Sequence, residues 1–412
     1  MRNVDLKKHG DMLLFVLALV VVVTIFFSIR VNRTITKVIP SIVFTQWWED
    51  DLEKNTLQDI INEFESLHKE IKIVLSSKPY EDLRLELFDS PETVFSGDVL
   101  ALDTLWVPEL QKKGIIENLW TESPPQQSFK VPLLSFVTIL YYNTNVLKNA
   151  GFSRPPKSRS EFINYARAIT NEEENRWGLA LDENSSRWVY DDVYPWIWSA
   201  GTQLIKDGMP TVTSRSVIDV LSFLVSLKRE GLVVPGNKLE DFTSGKAAFM
   251  ISSAKDIGFV RNRMGDESFS ISSVPLPDNY AGETYYGTTG WTIGINSTSA
   301  HKEEARLFAD FLAGKALILS QKAGARPENL PSQDPFYSKV WDIFIAGEPA
   351  QEFSGLPWTE MERAFREELF SLFAEKTSPA ETAAAIQERW SILAATPESV
   401  QCAQYRQKPL PQ

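Results

Sequence analysis

The sequence predicts an α/β fold of two units with mostly parallel sheets, preceded by one N-terminal transmembrane helix. Three observations predict it. From Val38 onward, short β-branched runs alternate with amphipathic helical segments, the pattern of a parallel sheet covered on both faces. The chain has 412 residues, enough for two domains with full cores. Two long extended runs, residues 131–142 (VPLLSFVTILYY) and 285–295 (YYGTTGWTIGI), read as segments that cross between two units.

The N-terminal span comes first. Residues 12–29 (MLLFVLALVVVVTIFFSI) are apolar, with Asp11 before them and Arg30 after. As a helix they reach roughly 27 Å, close to the ~30 Å hydrocarbon core. Their Leu, Val, Ile and Phe side chains favour insertion by roughly 4–8 kcal/mol. The following residues, Arg30 to Thr34, lack the small-residue pattern of a cleavage site, and no cysteine here could carry a lipid. The expectation is a retained signal anchor with a short cytoplasmic tail over residues 1–11. Charge does not orient it, because Arg2, Lys7 and Lys8 on one side face Arg30, Arg33 and Lys37 on the other.

Residues 41–45 (SIVFT) form a buried strand, and Leu57, Ile60, Ile61, Phe64 and Leu67 mark the helix behind it. Trp47 and Trp48, followed by Glu49, Asp50 and Asp51, therefore sit at the carboxyl end of a strand, where α/β sheets bind ligands. Aromatic faces beside carboxylates suit an uncharged polyhydroxylated ligand: the CH face of a sugar stacks, and its hydroxyls donate to the carboxylates. The alternative is a tryptophan pair that anchors a loop. Strands at 71–76 and 98–102 follow, with helices at 81–88 and 107–113 and Gly114 ending the second. Asp103 and Trp106 repeat the pairing of carboxylate and aromatic at a strand end.

Beyond the first crossing run, Ser158 to Glu161 reads as a capping box opening a helix with Phe162, Tyr165, Ala166 and Ile169 inward. A strand follows at 177–181. Residues 190–198 (YDDVYPWIW) concentrate aromatics around Pro195, which should interrupt any regular helix and leave Trp196 or Trp198 lining a cleft. A helix at 214–230 ends at Gly231, and a strand follows Gly245. Helices at 302–312, 335–345, 361–373 and 379–390 complete the fold, and a polar tail begins at Thr396.

Composition excludes several classes. A net charge of −12 argues against nucleic-acid binding. Cys402 is the single cysteine, and His9, His68 and His301 are scattered, so neither a metal site nor a Ser–His–Asp triad is expected, and no cofactor. No basic cluster adjoins Trp47 or Trp291 in the sequence, which argues against phosphorylated or carboxylated ligands.

In the order and spacing of its segments the chain resembles the extracytoplasmic solute-binding proteins of ABC importers, family 1, the maltose-binding-like, sugar-binding class. The likeness runs from Val38 to Ala395. It rests on the first strand entering Trp47-Trp48, on Gly97-Asp98-Val99 through Asp103, Trp106, Pro108 and Glu109, and on Val131-Pro132 through Tyr141-Tyr142-Asn143 to Gly151-Phe152. It continues in Gly245-Lys246-Ala247-Ala248-Phe249-Met250 and Gly290-Trp291 to Ile295. The resemblance implies a two-lobe periplasmic-binding-protein fold with interlobe crossing strands. Lobe 1 would hold residues 37–135 and 292–350, lobe 2 residues 136–291 and 351–395, and residues 396–412 a flexible tail.

The resemblance also implies that Trp47, Trp48, Asp103, Trp106, the group from Tyr194 to Trp198, Trp291 and Trp358 line the cleft. Glu49 joins them as a carboxylate beside the first pair. Two departures stand out. Ser252 to Asp256 replaces a common Gly-x-Trp, and Gly324 to Pro327 matches the family's Pro-x-Arg stretch only loosely at Arg326. The implied role is capture of a carbohydrate without chemistry and its delivery to ABC permease subunits, at the inner membrane with the binding domain extracytoplasmic. A glycosidase and a ligand sensor are the alternatives. Carboxylates such as Glu109 would serve the first, though no G-x-S-x-G, H-E-x-x-H or P-loop is present.

Overall fold

The computed structural model describes residues 16–24, 39–50, 52, 54–88, 97–117, 134–185, 187–323, 334–350 and 356–395. Residues 16–24 are helical, with the apolar side chains from Val16 to Val23 about half exposed. No helix among the described residues is long and apolar enough to cross a membrane. The remainder of the apolar span, and the tail from Thr396, lie outside them.

The first lobe is built on β1 (Ser41–Gln46), β2 (Lys72–Ser77) and β3 (Val99–Asp103), with β1 parallel to both. Ile42 and Phe44 of β1, and all of β3, are buried. They meet Leu57, Ile60, Ile61 and Phe64 from the helix Thr56–Leu67 on one side, as the 3.6-residue period requires. β4 (Ile116–Glu117) is a short edge. Gly114, at φ +68°, turns the chain out of the preceding helix Val107–Lys112 in a conformation that costs a glycine nothing.

β5 (Leu134–Asn143) is the first crossing run. Residues 134–137 pair with β13 (Thr288–Asn296), and residues 138–143 pair with β10 (Ala247–Ser253) and β11 (Phe269–Ser272). β13 is the second crossing and lies antiparallel to β3, β4 and β5. The second lobe adds β6 (Trp177–Leu181), parallel to β10, and β9 (Val233–Pro235) at the edge. A hairpin of β7 (Ile205–Lys206) and β8 (Met209–Pro210), and a pair formed by β12 (Tyr285–Tyr286) and β14 (Glu348–Pro349), stand apart. The sheets are therefore mixed and not mostly parallel. Strands that alternate with helices within a lobe run parallel, whereas the crossing strands enter antiparallel to their neighbours.

Two sequence expectations change in the second lobe. Pro195 does not interrupt a helix. A π-helical turn at Val189–Val193 feeds the helix Tyr194–Trp198, and Pro195 occupies its first turn, where a missing N–H is no loss. Trp196 and Trp198 are both fully buried. A Cβ on Gly287 would sit 2.4 Å from the Trp198 ring, so Trp198 closes directly against the crossing chain. The Ser158 capping box is half formed. Ser158 accepts from the Glu161 N–H at 3.3 Å, but Glu161 reaches past it to the Lys157 N–H at 2.8 Å. The full box occurs at Ser378 and Glu381, opening the helix Pro379–Ala394.

The helix Pro335–Ile345 also falls on the other side of the boundary expected from sequence. Phe336 and Val340 pack into the second-lobe core with Phe269 and Ile271. The helix Trp358–Phe373 buries Met361, Ala364, Phe365, Leu369 and Leu372 against the Pro379 helix and the π-helical turn. Trp358 and Glu362 of the same helix are buried as well, Trp358 with its ring against Tyr190.

Candidate ligand pocket between the lobes

The carboxyl ends of β1 and β3 and the start of the helix Tyr80–Phe88 bring three aromatic rings together. Trp47 meets Tyr80 at 5.2 Å and Trp106 at 5.4 Å between centroids, and Tyr80 meets Trp106 at 4.8 Å. Behind them Trp48 stacks on Trp291 at 4.9 Å with the rings 8° from parallel, and takes the edge of Phe44 at 5.7 Å. Trp48 is thus a core residue, while Trp47 backs a wall whose outer members are Tyr80 and Trp106.

That wall faces the Trp358 helix. Tyr80, Arg84 and Trp106 from the first lobe line a pocket together with Arg187 from the second. Trp358, Thr359, Glu362, Arg363 and Arg366 complete it, all on one helical face. Leu105 packs against the cores of both lobes at its edge.

Arg187 joins the lobes. Its Nη1 donates to Asp103 Oδ2 and to the Tyr80 hydroxyl, the latter at 3.2 Å, while Nη2 reaches Asp191 at 3.2 Å. Its guanidinium also lies over the Tyr80 and Tyr190 rings, 5.6 and 5.3 Å from their centres. Asp103 is fully engaged: it also accepts from the Tyr80 hydroxyl at 3.1 Å and from the Leu105 N–H at 3.0 Å. Burial pushes its carboxyl above the ordinary range, against the pull of Arg187. Removing the Arg187 fork leaves Asp103 buried and uncompensated unless the lobes part and water reaches it. Arg187→Met is therefore expected to enlarge the radius of gyration of the ligand-free protein in X-ray scattering. An unchanged scattering profile would show that other contacts hold the lobes together.

Glu362 is the most perturbed carboxyl in the pocket. It is 4% exposed, and its Oε1 has no hydrogen-bond partner among the described residues. Burial raises its pKa to about 8, although Arg366, Arg84 and Arg187 all act to lower it. At neutral pH it is a carboxylic acid, able to donate as well as accept.

Of the candidates from sequence, Trp106 and Trp358 line the pocket, Asp103 is tied to it through Arg187, and Trp47 stands one layer back. The structure does not bring Trp48, Trp291, Tyr194, Trp198 or Glu49 to it. Tyr194 and Trp198 belong to the second-lobe core, 5.6 Å apart with Phe365 beside Tyr194. Glu49 is exposed and accepts from Ser77 and from Gln46. Sequence reasoning missed Tyr80, Arg84, Arg187, Thr359, Glu362, Arg363 and Arg366. The period Trp358, Glu362, Arg366 was a visible signal of a polar helical face; Arg187 and Tyr80 carried none. The sequence places no basic cluster beside Trp47 or Trp291, yet Arg84, Arg187, Arg363 and Arg366 line the pocket. No group of three or more His, Cys, Asp or Glu residues that could hold a metal occurs among the described residues.

Comparison with known proteins agrees with this architecture. Residues 50–317, more than half of the chain, match the family described as bacterial extracellular solute-binding protein. A Brucella abortus protein named as a binding protein is 24% identical over 305 residues, which is 66% of this chain and 72% of that protein. Among solved structures, the GacH receptor of Streptomyces glaucescens, studied unliganded and with acarbose, superposes with a TM-score of 0.72 at 19% identity, covering 86% of this chain and 98% of that one. An ABC transporter solute-binding protein of Thermotoga lettingae bound to α-D-tagatose gives 0.72 at 17% identity, covering 87% and 99%.

Proposed function

Since the chain belongs to the bacterial extracellular solute-binding protein family, we propose that it captures a saccharide between its lobes and delivers it to the permease of an ABC importer. The observation that carries this reading is the placement of Trp106 and Trp358. They come from opposite lobes and line one pocket beside Thr359 and Glu362, polar groups suited to hydroxyls. Aromatic faces contribute apolar contact area, hydrogen-bonding side chains fix hydroxyl positions, and lobe closure excludes water from both. The ligands of the GacH receptor and of the Thermotoga lettingae protein support a saccharide. The role is binding without turnover.

The apolar stretch at residues 12–29 supports a tether that keeps the binding unit at the membrane surface on its extracytoplasmic side. The test uses the full chain in a detergent without a sugar headgroup, followed by thermal denaturation against a broad saccharide panel. A bound sugar is expected to raise the midpoint in proportion to the logarithm of its concentration. A flat response across the whole panel would sink the saccharide reading. Release of a shorter sugar from the bound one would instead identify an enzyme.

A further inference from the structure

The chain carries a net charge of −12, yet the pocket lining runs the other way. Two of its four arginines are spoken for. Arg187 is matched by Asp103 and Asp191, and Arg84 holds Glu81 at 3.1 Å through Nε. The side chains of Arg363 and Arg366 make no hydrogen bond or ion pair among the described residues, although Arg366 acts electrostatically on Glu362. Glu362 is the one acid among the described residues lining the pocket. Protonated at neutral pH, it neither cancels their charge nor repels an anion. Its Oε1 is buried without a partner among the described residues, an atom that a bound group would satisfy.

A solvated row of arginines on an exposed helix would be unremarkable alone. Here the row shares one face with Trp358, opposite Arg84, around a buried carboxyl whose Oε1 lacks a hydrogen bond among the described residues. Guanidinium forks match the oxygens of a phosphate or carboxylate in pairs, and the fit is strongest where water is excluded. We propose that the solute is a saccharide bearing an anionic group, a phosphate or a uronic carboxylate, held by Arg363 and Arg366 with Arg84 opposite. The stacking part of the ligand then lies between Trp106 and Trp358, and the Glu362 hydroxyl donates to an anionic or ring oxygen. This rests on the saccharide reading above and narrows it.

The test measures binding calorimetrically on the full chain with D-glucose, maltose, D-glucose 6-phosphate, α-D-glucose 1-phosphate, D-glucuronate, D-galacturonate and inorganic phosphate. An anionic sugar is expected to bind at least about tenfold more tightly than its neutral parent, with the preference falling as salt is raised. Arg363→Gln and Arg366→Gln should each weaken the charged ligand roughly tenfold and the neutral parent by clearly less, so that the preference for the charged sugar shrinks. Arg366→Lys should recover only part, because the charge remains but the fork is lost. Neither arginine side chain has a bonded partner among the described residues, so the ligand-free melting temperature of each variant should match the parent chain and report that it folds. The phosphate and uronate arms distinguish the two sources of negative charge. Equal or tighter binding of the neutral parent overturns the proposal while the saccharide reading stands. Binding of no sugar at all overturns both, and binding of inorganic phosphate alone with no sugar does the same.

Discussion

Lys238→Met is expected to destabilise the protein by about 3–5 kcal/mol at pH 8, the cost of leaving one member of a buried ion pair alone. Lys238 and Asp192 are 7% and 0% exposed, and Nζ lies 2.9 Å from Oδ1. The remaining oxygen of Asp192 accepts, among the described residues, a 3.4 Å bond from the Asp182 N–H. Burial already lifts the Asp192 pKa to about 6, with Asp191 adding to the effect and Lys238 resisting it. Without the ammonium, Asp192 keeps its proton further up the pH scale, while the unfolded chain releases it near the ordinary aspartate value of about 3.9. The folded variant thus binds more protons than the unfolded one, and its stability falls as pH rises. Urea denaturation should show a clearly smaller deficit at pH 5 than at pH 8. An equal deficit at both would mean that the loss comes from packing. Adding Asp192→Leu should restore most of the stability, since the pair as a whole contributes little net free energy once both charges are gone.

Glu362→Gln should act in the opposite sense. The glutamate has a folded pKa of about 8 against an ordinary value of 4.5, so between these values the folded state holds a proton that the unfolded chain has released. The contribution of Glu362 to wild-type stability therefore declines as pH rises from 4.5 and levels off above 8, a linkage on the order of 3–5 kcal/mol in total. Glutamine has the same shape and does not titrate. The variant is expected to be more stable than the parent chain at pH 9 and similar at pH 5, read from ligand-free urea midpoints. A difference between the two proteins that does not change with pH would show that Glu362 titrates normally.

The scaffold was more legible in the sequence than the pocket. β1, β3 and both crossing runs announce themselves as apolar or β-branched segments between helical periods, because burial on a sheet leaves a local pattern. Neighbours across lobes leave no such pattern. Trp48 and Trp291 are far apart in sequence, and nothing local says that their faces meet and take both rings out of the cleft. Adjacent residues point apart, so of Trp47 and Trp48 only one could back the pocket wall, but the sequence does not choose between them. Arg84, Arg187, Arg363 and Arg366 come from three separate segments and converge only when the lobes face each other. Read singly, each is an ordinary surface charge. The proline at 195 misled for a related reason: its effect depends on its position within the helix, and the π-helical turn before it set that position.

β5 lends residues 134–137 to one sheet and 138–143 to the other, so neither lobe owns all of its own backbone pairing. A gene cut at the lobe boundary would release two fragments, each with a row of unmatched N–H and C=O groups along a freshly exposed edge. Such edges recruit any strand within reach, another copy included. The lobes are hence two halves of one cooperative unit, and the chain must be finished well past Thr288 before either sheet is closed. As the chain is made, that places the aggregation-prone interval in the middle third of synthesis, between the emergence of β5 and the arrival of β13.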